Sequence, residues 1–373
     1  MTGILPVTMP KFGLAMTEGK VVSWAKEEGA VIAVGDELAD IETTKITNAY
    51  ESSVAGVLRR RVAREQEDVP VGALIAVVAD AAVADSDIDA FIERFQAEFA
   101  ARPVEASGDA SPGPLVVHAG GRPIRYLETG TEHQGRPIVL LHGFGGDLNN
   151  WLFVQPALAE RHRVIALDLP GHGGSTKDAG AGDLATLAGV VLDVLRALDV
   201  PKAHLAGHSL GGAVALRAAL ESPSHAASLT LICPAGLGEE IDDDFTRDFI
   251  SANRRKLLQP VLAKLFVDES LVSNDMTEDL LRFKRLDGAR EALTTIREAN
   301  FAGGQREILR GRLGELGDIP VQVIWGAEDR IVPARHAEGL PASVVTHVVA
   351  GAGHMPHLEK ASDVSRLLLD FVG

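Results

Sequence analysis

Two patterns of hydrophobic residues divide the chain. Over roughly the first 80 residues, short apolar runs such as "LIAVVA" (74–79) are separated by glycines and polar turns, which predicts β-strands. From about Pro114 onward, apolar runs such as "PIVLLH" (137–142) alternate with helical patterns, which predicts a mostly parallel sheet with helices on both faces. We therefore expect an all-β domain at residues 1–80, a linker at 81–113 and an α/β domain at 114–373.

The all-β region contains an internal repeat. Matching residues recur at a constant separation of 37 positions. This offset predicts two similar small sheets related by a pseudo-twofold axis, with "ETTKITN" (42–48) as the turn that joins the halves. Lys45 would then lie at an exposed tip, where a lysine is ordinarily a solvated charge. The matching pairs are Gly19 and Gly56, Glu28 and Glu65, Val34 and Val71, Gly35 and Gly72, and Leu38 and Ile75.

The linker has its own pattern. Ala, Asp, Ser and Pro replace the strand-like runs between residues 81 and 113, but apolar residues there recur at helical spacing. This spacing predicts an amphipathic helix within the linker. Its apolar face would dock either on a domain of the same chain or on a partner, and the pattern favours neither. The apolar residues are Ile88, Phe91, Ile92, Phe95 and Phe99.

Composition excludes several classes of protein. The formal net charge of −16 argues against nucleic-acid binding, because polyphosphate requires a concentrated basic surface. The single cysteine, Cys233, cannot form an intramolecular disulfide, and the N-terminus lacks a secretory signal pattern. No apolar run approaches the roughly 20 residues that span a membrane. We expect a cytoplasmic protein that binds neither nucleic acid nor membrane.

The first domain resembles the lipoyl domain of 2-oxo acid dehydrogenase complexes, from "MPKFGLAMTEGKVV" (9–22) to "VGALIAVVAD" (71–80). The resemblance implies that Lys45 carries lipoic acid, attached by a lipoate ligase or transferase. A flexible arm on an exposed tip can reach the ligase and several active sites in turn. The tip reads "ETTKI" (42–46), whereas the family often has Glu-Thr-Asp-Lys-Ala. Biotin is the weaker choice, since biotinyl domains frame their lysine with methionines.

The strongest motif of the second domain is "GHSLG" (207–211). A G-x-S-x-G motif between a strand and a helix places its serine on a strained turn that lifts the hydroxyl above the sheet. A strand pattern precedes Ser209, and the small-residue helix pattern "LGGAVALRAAL" (210–220) follows it. Without this context, an ordinary turn serine would be the better interpretation. Here we interpret Ser209 as a nucleophile.

A serine nucleophile requires an adjacent base, and the base requires an acid that fixes its tautomer. Asp329 in "GAED" and His354 in "GAGH" follow later strands, in the order Ser, Asp, His that this elbow architecture requires. We assign them as acid and base, and we expect no metal. The rival residues, which we interpret as structural or substrate-lining, are Glu328, His142, His172, His208 and His357.

Serine attack places charge on a carbonyl oxygen, so hydrogen-bond donors must already point at that position. The turn "HGFGG" (142–146) can supply the backbone N–H of Phe144. The backbone N–H of Leu210, directly after the nucleophile, would be the second donor of this oxyanion hole. Loss of one such donor typically costs about 3 to 4 kcal/mol of transition-state stabilisation.

These motifs together resemble the α/β-hydrolase fold over residues 114–373. A charged insertion at about residues 238–316, expected to be helical, resembles the cap that covers the active site in this fold. Within it, "NRRK" (253–256) would suit a phosphate, but a solvated helix face is the more common occurrence. Fold alone leaves the reaction open, since this architecture hosts esterases, C–C hydrolases and acyltransferases.

Over its full length the chain resembles the dihydrolipoyl acetyltransferase family of acetoin dehydrogenase complexes, in which an α/β-hydrolase-like domain follows the lipoyl domain. The resemblance implies an acetyl group as cargo and coenzyme A as acceptor. Because an activated serine readily accepts an acyl group from a thioester, we expect transfer through an acyl-serine on Ser209. The implied partners are a thiamine-diphosphate enzyme and a flavin dihydrolipoyl dehydrogenase, and we expect a homo-oligomer.

Two alternatives stay open. A serine hydrolase, whether esterase, thioesterase or C–C hydrolase, would use water as acceptor and keep the lipoyl domain only for recruitment to a complex. A carrier and scaffold subunit would contain a catalytically idle hydrolase-like domain. The complete set of Ser209, Asp329 and His354 disfavours the second alternative more than the first.

Overall fold

The chain divides into two compact units, Met1–Ser111 and Pro112–Gly373. The structure is a computed structural model, and it describes residues 3–10, 18–42, 47–52, 54–101 and 113–373. None of the described helices is long and apolar enough to cross a membrane.

The first unit contains two four-stranded sheets. Its strands are β1 (Ile4–Thr8), β2 (Glu18–Trp24), β3 (Val31–Ile32), β4 (Glu37–Glu42), β5 (Thr47–Glu51), β6 (Gly56–Arg61), β7 (Glu67–Pro70) and β8 (Leu74–Ala79). One sheet has the order β1-β8-β6-β3 and the other β5-β4-β2-β7. Strands β2, β3 and β4 therefore correspond to β6, β7 and β8, which confirms the 37-residue repeat and the two similar sheets.

Strands β4 and β5 form the hairpin that carries the predicted lipoyl site. They pair antiparallel up to Glu42 and Thr47. Lys45 and its immediate neighbours lie outside the described residues. The two sheets enclose an apolar core in which Val21, Leu38 and Ile75 are fully buried.

Helix α1 (Asp85–Ala101) occupies much of the predicted linker and packs on the first unit. Ile88 is fully buried and, with Phe91 and Phe95, contacts a cluster that includes Leu74 and Val77 of β8. The described part of this apolar face therefore packs on the first unit of the same chain.

Ionic contacts fix the start of α1. Arg59 of β6 donates to Asp85 Oδ1 at 2.7 Å and to the carbonyl of Val83 at 2.8 Å. The carboxylate of Asp85 also complements the positive end of the helix dipole. The helix belongs to the first unit rather than to a free tether.

The second unit is built on one eight-stranded sheet. Its strands are β9 (Leu115–Ala119), β10 (Arg122–Thr129), β11 (Ile138–Leu141), β12 (Val164–Leu167), β13 (Ala203–His208), β14 (Ala226–Ile232), β15 (Val321–Gly326) and β16 (Val344–Val349). The order is β16-β15-β14-β13-β11-β12-β10-β9. Strands β11 to β16 run parallel, whereas β10 is antiparallel to both of its neighbours.

The central strands are apolar on both faces because helices cover the sheet on both sides. All of "IVLL" in β11 is fully buried. The helices are α2 (Gln155–Ala159), α3 (Leu184–Ala197), α4 (Leu210–Glu221), α5 (Asp243–Ser251), α6 (Arg255–Ala263), α7 (Asn274–Lys284), α8 (Ala289–Asn300), α9 (Pro356–Glu359) and α10 (Ala361–Val372). The sheet topology and helices confirm the predicted α/β architecture.

Helices α5 to α8 lie between β14 and β15, within the segment predicted as a cap. Asp242 caps α5 by accepting the backbone N–H of Phe245 at 2.9 Å, and Ser273 caps α7 in the same way. At the start of α6, Arg255 is exposed and pairs with Glu278 at 2.8 Å. Residues 253–256 thus resemble an ordinary solvated helix terminus.

Candidate active site

The serine of the G-x-S-x-G motif occupies a sharp turn between β13 and α4. Ser209 has φ 52° and ψ −116°, a backbone conformation that a non-glycine residue rarely adopts. The flanking glycines make the turn possible. A Cβ on Gly207 would lie 2.2 Å from the carbonyl oxygen of Gly211, and one on Gly211 would lie 2.2 Å from that of Leu141. The backbone at Ser209 therefore forms the strained turn that the G-x-S-x-G motif predicts.

Asp329 and His354 meet at the ends of β15 and β16. Oδ2 of Asp329 accepts a hydrogen bond from Nδ1 of His354 at 2.8 Å, and both side chains are buried. Oδ1 accepts the backbone N–H groups of Ile331 and Val332 at 2.8 and 3.0 Å, and Trp325 Nε1 donates to Oδ2 at 3.1 Å. These donors hold the carboxylate in one orientation. With its proton on Nδ1, His354 leaves Nε2 available as a base.

The elbow and the histidine loop are joined through His208 rather than through the serine hydroxyl. Within the described parts of the chain, Ser209 Oγ forms no hydrogen bond with His354. His208 Nε2 instead contacts the carbonyl oxygen of His354 at 2.7 Å, and the two rings lie 4.7 Å apart. Such serine–histidine contacts are often longer before substrate binds, so this geometry remains compatible with catalysis.

The turn at residues 142–146 carries the predicted oxyanion donor Phe144. His172 holds this turn, because its Nε2 accepts the backbone N–H of Gly145 at 3.0 Å while its Nδ1 donates to the carbonyl of Pro170 at 3.0 Å. Burial lowers the pKa of His172 well below its usual value, which keeps Nε2 free to accept. Among the described residues, the backbone N–H groups of Phe144 and Leu210 have no acceptor. Both are therefore available to a substrate oxygen.

The cap packs directly on this turn. The Phe144 ring lies edge-on to Phe249 at 5.8 Å and to Phe301 at 6.0 Å. Phe249 also fills the space beside Gly145, where a Cβ would lie 2.3 Å from its ring. Lys284 donates to the carbonyls of Phe249 and Ala252 and so fixes the end of α5. An aromatic contact between cap and turn thus encloses one side of the site.

The rival residues take structural positions. Glu328 accepts the backbone N–H groups of Gly351 and Ala352 and braces the loop before His354. His142 accepts the N–H of Leu169 at 3.0 Å. His357 lies behind the site, where burial lowers its pKa to about 3.

Cys233 is close to the acid–base pair. Donor atoms of Cys233, Asp329 and His354 lie within 4.8 Å of one another, the one group in the described parts of the chain with metal-ligand chemistry at such distances. Two of the three donors are already used in the hydrogen bond between Asp329 and His354. Burial raises the pKa of the Cys233 thiol well above its usual value, so it stays a neutral thiol rather than a thiolate ligand.

Sequence reasoning did not find three of the contacts that shape the site. Trp325 donates to Asp329 from within an apolar strand, His172 supports the oxyanion turn, and His208 reaches the histidine loop. The sequence offered a weak signal for the two histidines, since each lies beside a motif glycine. It offered none for Trp325.

Two family models match the chain. The model for biotin-requiring enzymes matches residues 6–78, and the model for the alpha/beta hydrolase fold matches residues 136–361. A solved meta-cleavage product hydrolase from Pseudomonas fluorescens superposes with a TM-score of 0.62 at 22% identity, covering 69% of this chain and 97% of that one. The class is therefore a biotin/lipoyl-type carrier domain joined to an α/β-hydrolase domain.

Relatives that match over the full length of the chain identify a family within this class. The dihydrolipoyllysine-residue acetyltransferase component of the acetoin cleaving system of Pseudomonas putida is 50% identical over 100% of this chain and 99% of its own length. The same component of Cupriavidus necator is 42% identical over 99% of this chain and 98% of its own. The chain belongs to this family of acetyltransferase components, and it is an acyltransferase with a lipoyl-lysine arm.

Proposed function

We propose that the second unit moves an acetyl group from the lipoyl arm on Lys45 to coenzyme A through an acyl-serine on Ser209. The hydrogen bond between Asp329 and His354, formed beside the strained elbow, carries this proposal. It is also supported by strands β4 and β5, whose pairing ends at Glu42 and Thr47 on either side of Lys45 in the sequence. When attached there, the lipoyl group supplies the acetyl group as a thioester.

Acylation uses residues already in place. His354 Nε2 takes the proton of Ser209 Oγ as this oxygen attacks the thioester carbonyl. The backbone N–H groups of Phe144 and Leu210 stabilise the resulting oxyanion. The C–S bond then breaks, and His354 returns its proton to the departing sulfur. Asp329 supports the positive charge of His354 between these two transfers.

Deacylation repeats the same steps with a thiol as nucleophile. His354 takes the proton of the coenzyme A thiol, and the sulfur attacks the acetyl carbonyl on Ser209. The same two backbone donors hold the oxyanion. The ester C–O bond breaks, Ser209 Oγ receives the proton from His354, and acetyl-CoA leaves. No electron transfer occurs in either half.

Other components must complete the cycle. Transfer leaves the arm in its reduced dithiol form, so a flavin dihydrolipoyl dehydrogenase would reoxidise it. A thiamine-diphosphate enzyme that cleaves acetoin would reload it. A lipoate ligase or transferase would attach lipoic acid to Lys45. These partners fit the family's membership in an acetoin cleaving system.

The acceptor can be tested directly. Protein with an acetyl group on its reduced arm is mixed with and without coenzyme A, and acetyl-CoA and free acetate are quantified. We expect acetyl-CoA from the wild type, none from Ser209→Ala and none from Lys45→Arg. Ser222→Ala, at the far end of α4, and Lys20→Arg, on β2, serve as matched controls and should retain activity.

Each remaining outcome has a definite meaning. Acetate released at the same rate with or without coenzyme A would make the protein a serine hydrolase with a recruited arm. Full complex activity in Ser209→Ala would make the second unit an idle scaffold. Either result would overturn the proposal.

A further inference from the structure

We infer that His208 is a positioning residue that sets the distance between Ser209 and His354. This inference rests on the proposed function, in which Ser209 and His354 are the nucleophile and the base. His208 is buried, and its ring contacts both the turn at Gly143 and the segment of His354 and His357, which are distant from it in the sequence.

The first contact joins the elbow to the loop of the base. Nε2 of His208 lies 2.7 Å from the carbonyl oxygen of His354, a residue 146 positions away in the chain. Because Ser209 directly follows His208, this hydrogen bond ties the backbone of the nucleophile to the backbone of the base. The rings of His208 and His354 also pack at 4.7 Å. A change at His208 would therefore move His354 relative to Ser209.

The second contact joins the elbow to the oxyanion turn. A Cβ on Gly143 would lie 2.7 Å from Nδ1 of His208 and 3.2 Å from Cβ of Ser209, so the His208 ring packs directly against the backbone of this turn. Gly143 precedes Phe144, the predicted oxyanion donor. One imidazole ring thus touches both the turn that holds a donor and the loop that holds the base.

The third contact supports the ring from behind. His357 packs on His208 at 4.6 Å, and Trp151 packs on His357 at 4.8 Å. Fold stability does not explain this arrangement. In the described structure, Nδ1 of His208 and both ring nitrogens of His357 are buried without a hydrogen-bond partner. A buried polar atom without a partner destabilises the fold, so apolar rings would be more stable here.

The hydrogen bond requires a proton on Nε2 of His208. Burial, together with the nearby His357 and His354, holds the pKa of His208 well below its usual value. The ring is therefore neutral near neutral pH. Nε2–H donates to the carbonyl of His354, because a carbonyl oxygen can only accept.

Three substitutions at His208 distinguish the contribution of the Nε2–H donor from that of the packing of the ring. His208→Phe keeps a ring and removes the donor. His208→Gln places an amide N–H at the ε position, whereas His208→Asn places one at the δ position, short of the His354 carbonyl. His204→Phe is the matched control, because His204 lies on the same strand β13 and contacts Ser228 instead of the site.

We expect kcat for acetyl transfer to fall by on the order of 10²-fold in the Phe and Asn variants, since a misplacement of about 1 Å costs that much. KM for coenzyme A should stay within about twofold, because binding is not affected. His208→Gln should recover most of the loss, and the control should match the wild type. The downfield imidazole N–H resonance of His354, identified by its loss in His354→Gln, should shift or broaden only where the donor is missing.

The inference and the proposed function fail in different ways. A kcat within about twofold of wild type in His208→Phe, or equal kcat in the Gln and Asn variants, would overturn the positioning role while leaving Ser209→Ala inactive. A loss that follows only the folded fraction, measured by thermal unfolding, would also overturn it. If His208→Phe does not fold, the comparison of Gln with Asn decides. Reaction of Ser209 with a fluorophosphonate, absent in Ser209→Ala, tests the nucleophile independently of coenzyme A.

Discussion

Burial keeps several histidines of the second unit neutral. Desolvation lowers the pKa to about 4 for His204 and to about 3 for His357. In the unfolded chain these rings regain the ordinary value of about 6.5, so as the pH falls the unfolded state binds protons first. The native fold therefore loses stability as the pH drops below about 6.5. The residues with a lowered pKa include His142, His172, His204, His208 and His357.

His357 offers a test of this linkage. Replacing it by Phe keeps a ring between Trp151 and His208 and removes two buried nitrogens that have no partner in the described structure. We expect the free energy of unfolding at pH 7 to stay the same or to rise by up to about 3 kcal/mol. The slope of the free energy of unfolding against pH, between about pH 4 and 6, should fall by about 1.4 kcal/mol per pH unit. This is the contribution of the one proton that the unfolded state binds at His357.

Urea unfolding of His357→Phe at a series of pH values measures both quantities. His118→Phe provides the control for the substitution itself, because His118 is exposed on an edge strand far in the sequence from the buried rings. An equal slope for wild type and His357→Phe would show that His357 takes up its proton in the folded state.

At the scale of elements, the oxyanion turn at residues 142–146 is held from two sides. His172 accepts the N–H of Gly145 from the core side, and Phe249 of α5 packs on the same glycine from the cap side. The turn is therefore positioned jointly by the sheet unit and by the cap.

Replacing His172 by Phe should loosen the turn from the core side. The ring would remain against Phe144, but the N–H of Gly145 would lose its acceptor. Because a directly removed oxyanion donor costs about 10² to 10³ in kcat, we expect a smaller loss of about 10- to 10²-fold for a displaced one. KM should change little. Steady-state kinetics measure this, with His225→Phe as a control, and an unchanged kcat would contradict a supporting role for His172.

Gly145→Ala tests the cap side. Gly145 has φ +75°, and the space for a Cβ is filled by the Phe249 ring. The substitution must therefore displace α5, and we expect kcat/KM to fall by on the order of 10²-fold. Adding Phe249→Ala should recover part of this loss by removing the clash, although the backbone strain at residue 145 would remain. A double variant no better than the single one would show that strain alone causes the loss.

Local patterns were sufficient to predict some elements and insufficient for others. The elbow at Ser209 and the turn at Phe144 are encoded by glycines within a few residues, so the sequence predicted them. The contacts that hold them together span 27 positions, from Gly145 to His172, and 146 positions, from His208 to His354. No local pattern determines the ring orientation on which such contacts depend.

The helix in the linker illustrates the same limit. The sequence predicts the helix from the spacing of apolar residues at 88–99, because periodicity is a local property. The sequence does not predict which surface the helix covers, since Leu74 and Val77 lie on a strand that forms only when the two sheets assemble.

At the scale of the whole molecule, α1 shortens the connection between the two units. The linker predicted at residues 81–113, about 30 residues long, could extend to a maximum of roughly 100 Å. Helix α1 takes up 17 residues and packs on the first unit. The segment between Ala101 and Leu115 is left to join the units, and its maximum extension is roughly 45 Å.

A connection of this length should favour transfer within one assembly. A short tether gives an effective concentration in the millimolar range, far above the concentration of other molecules in a dilute assay. We expect the first-order rate of acetyl transfer from the loaded arm to coenzyme A to be independent of protein concentration between about 10 nM and 10 μM. Rapid-quench single-turnover experiments on the full chain measure this rate. A rate that rises in proportion to protein concentration would instead mean that arms and active sites meet by collision.

Co-expression of Lys45→Arg with Ser209→Ala separates the chain's own arm from that of a neighbour. Each mixed assembly would contain intact arms only on chains that lack the serine, so activity requires transfer between chains. Since a short connection raises the effective concentration of an arm for the second unit of its own chain, we expect the mixed protein to stay near the background of the single variants. Recovery to about a quarter or more of wild-type activity, with the rate still independent of concentration, would mean that the arm of one chain serves the active site of another within a homo-oligomer.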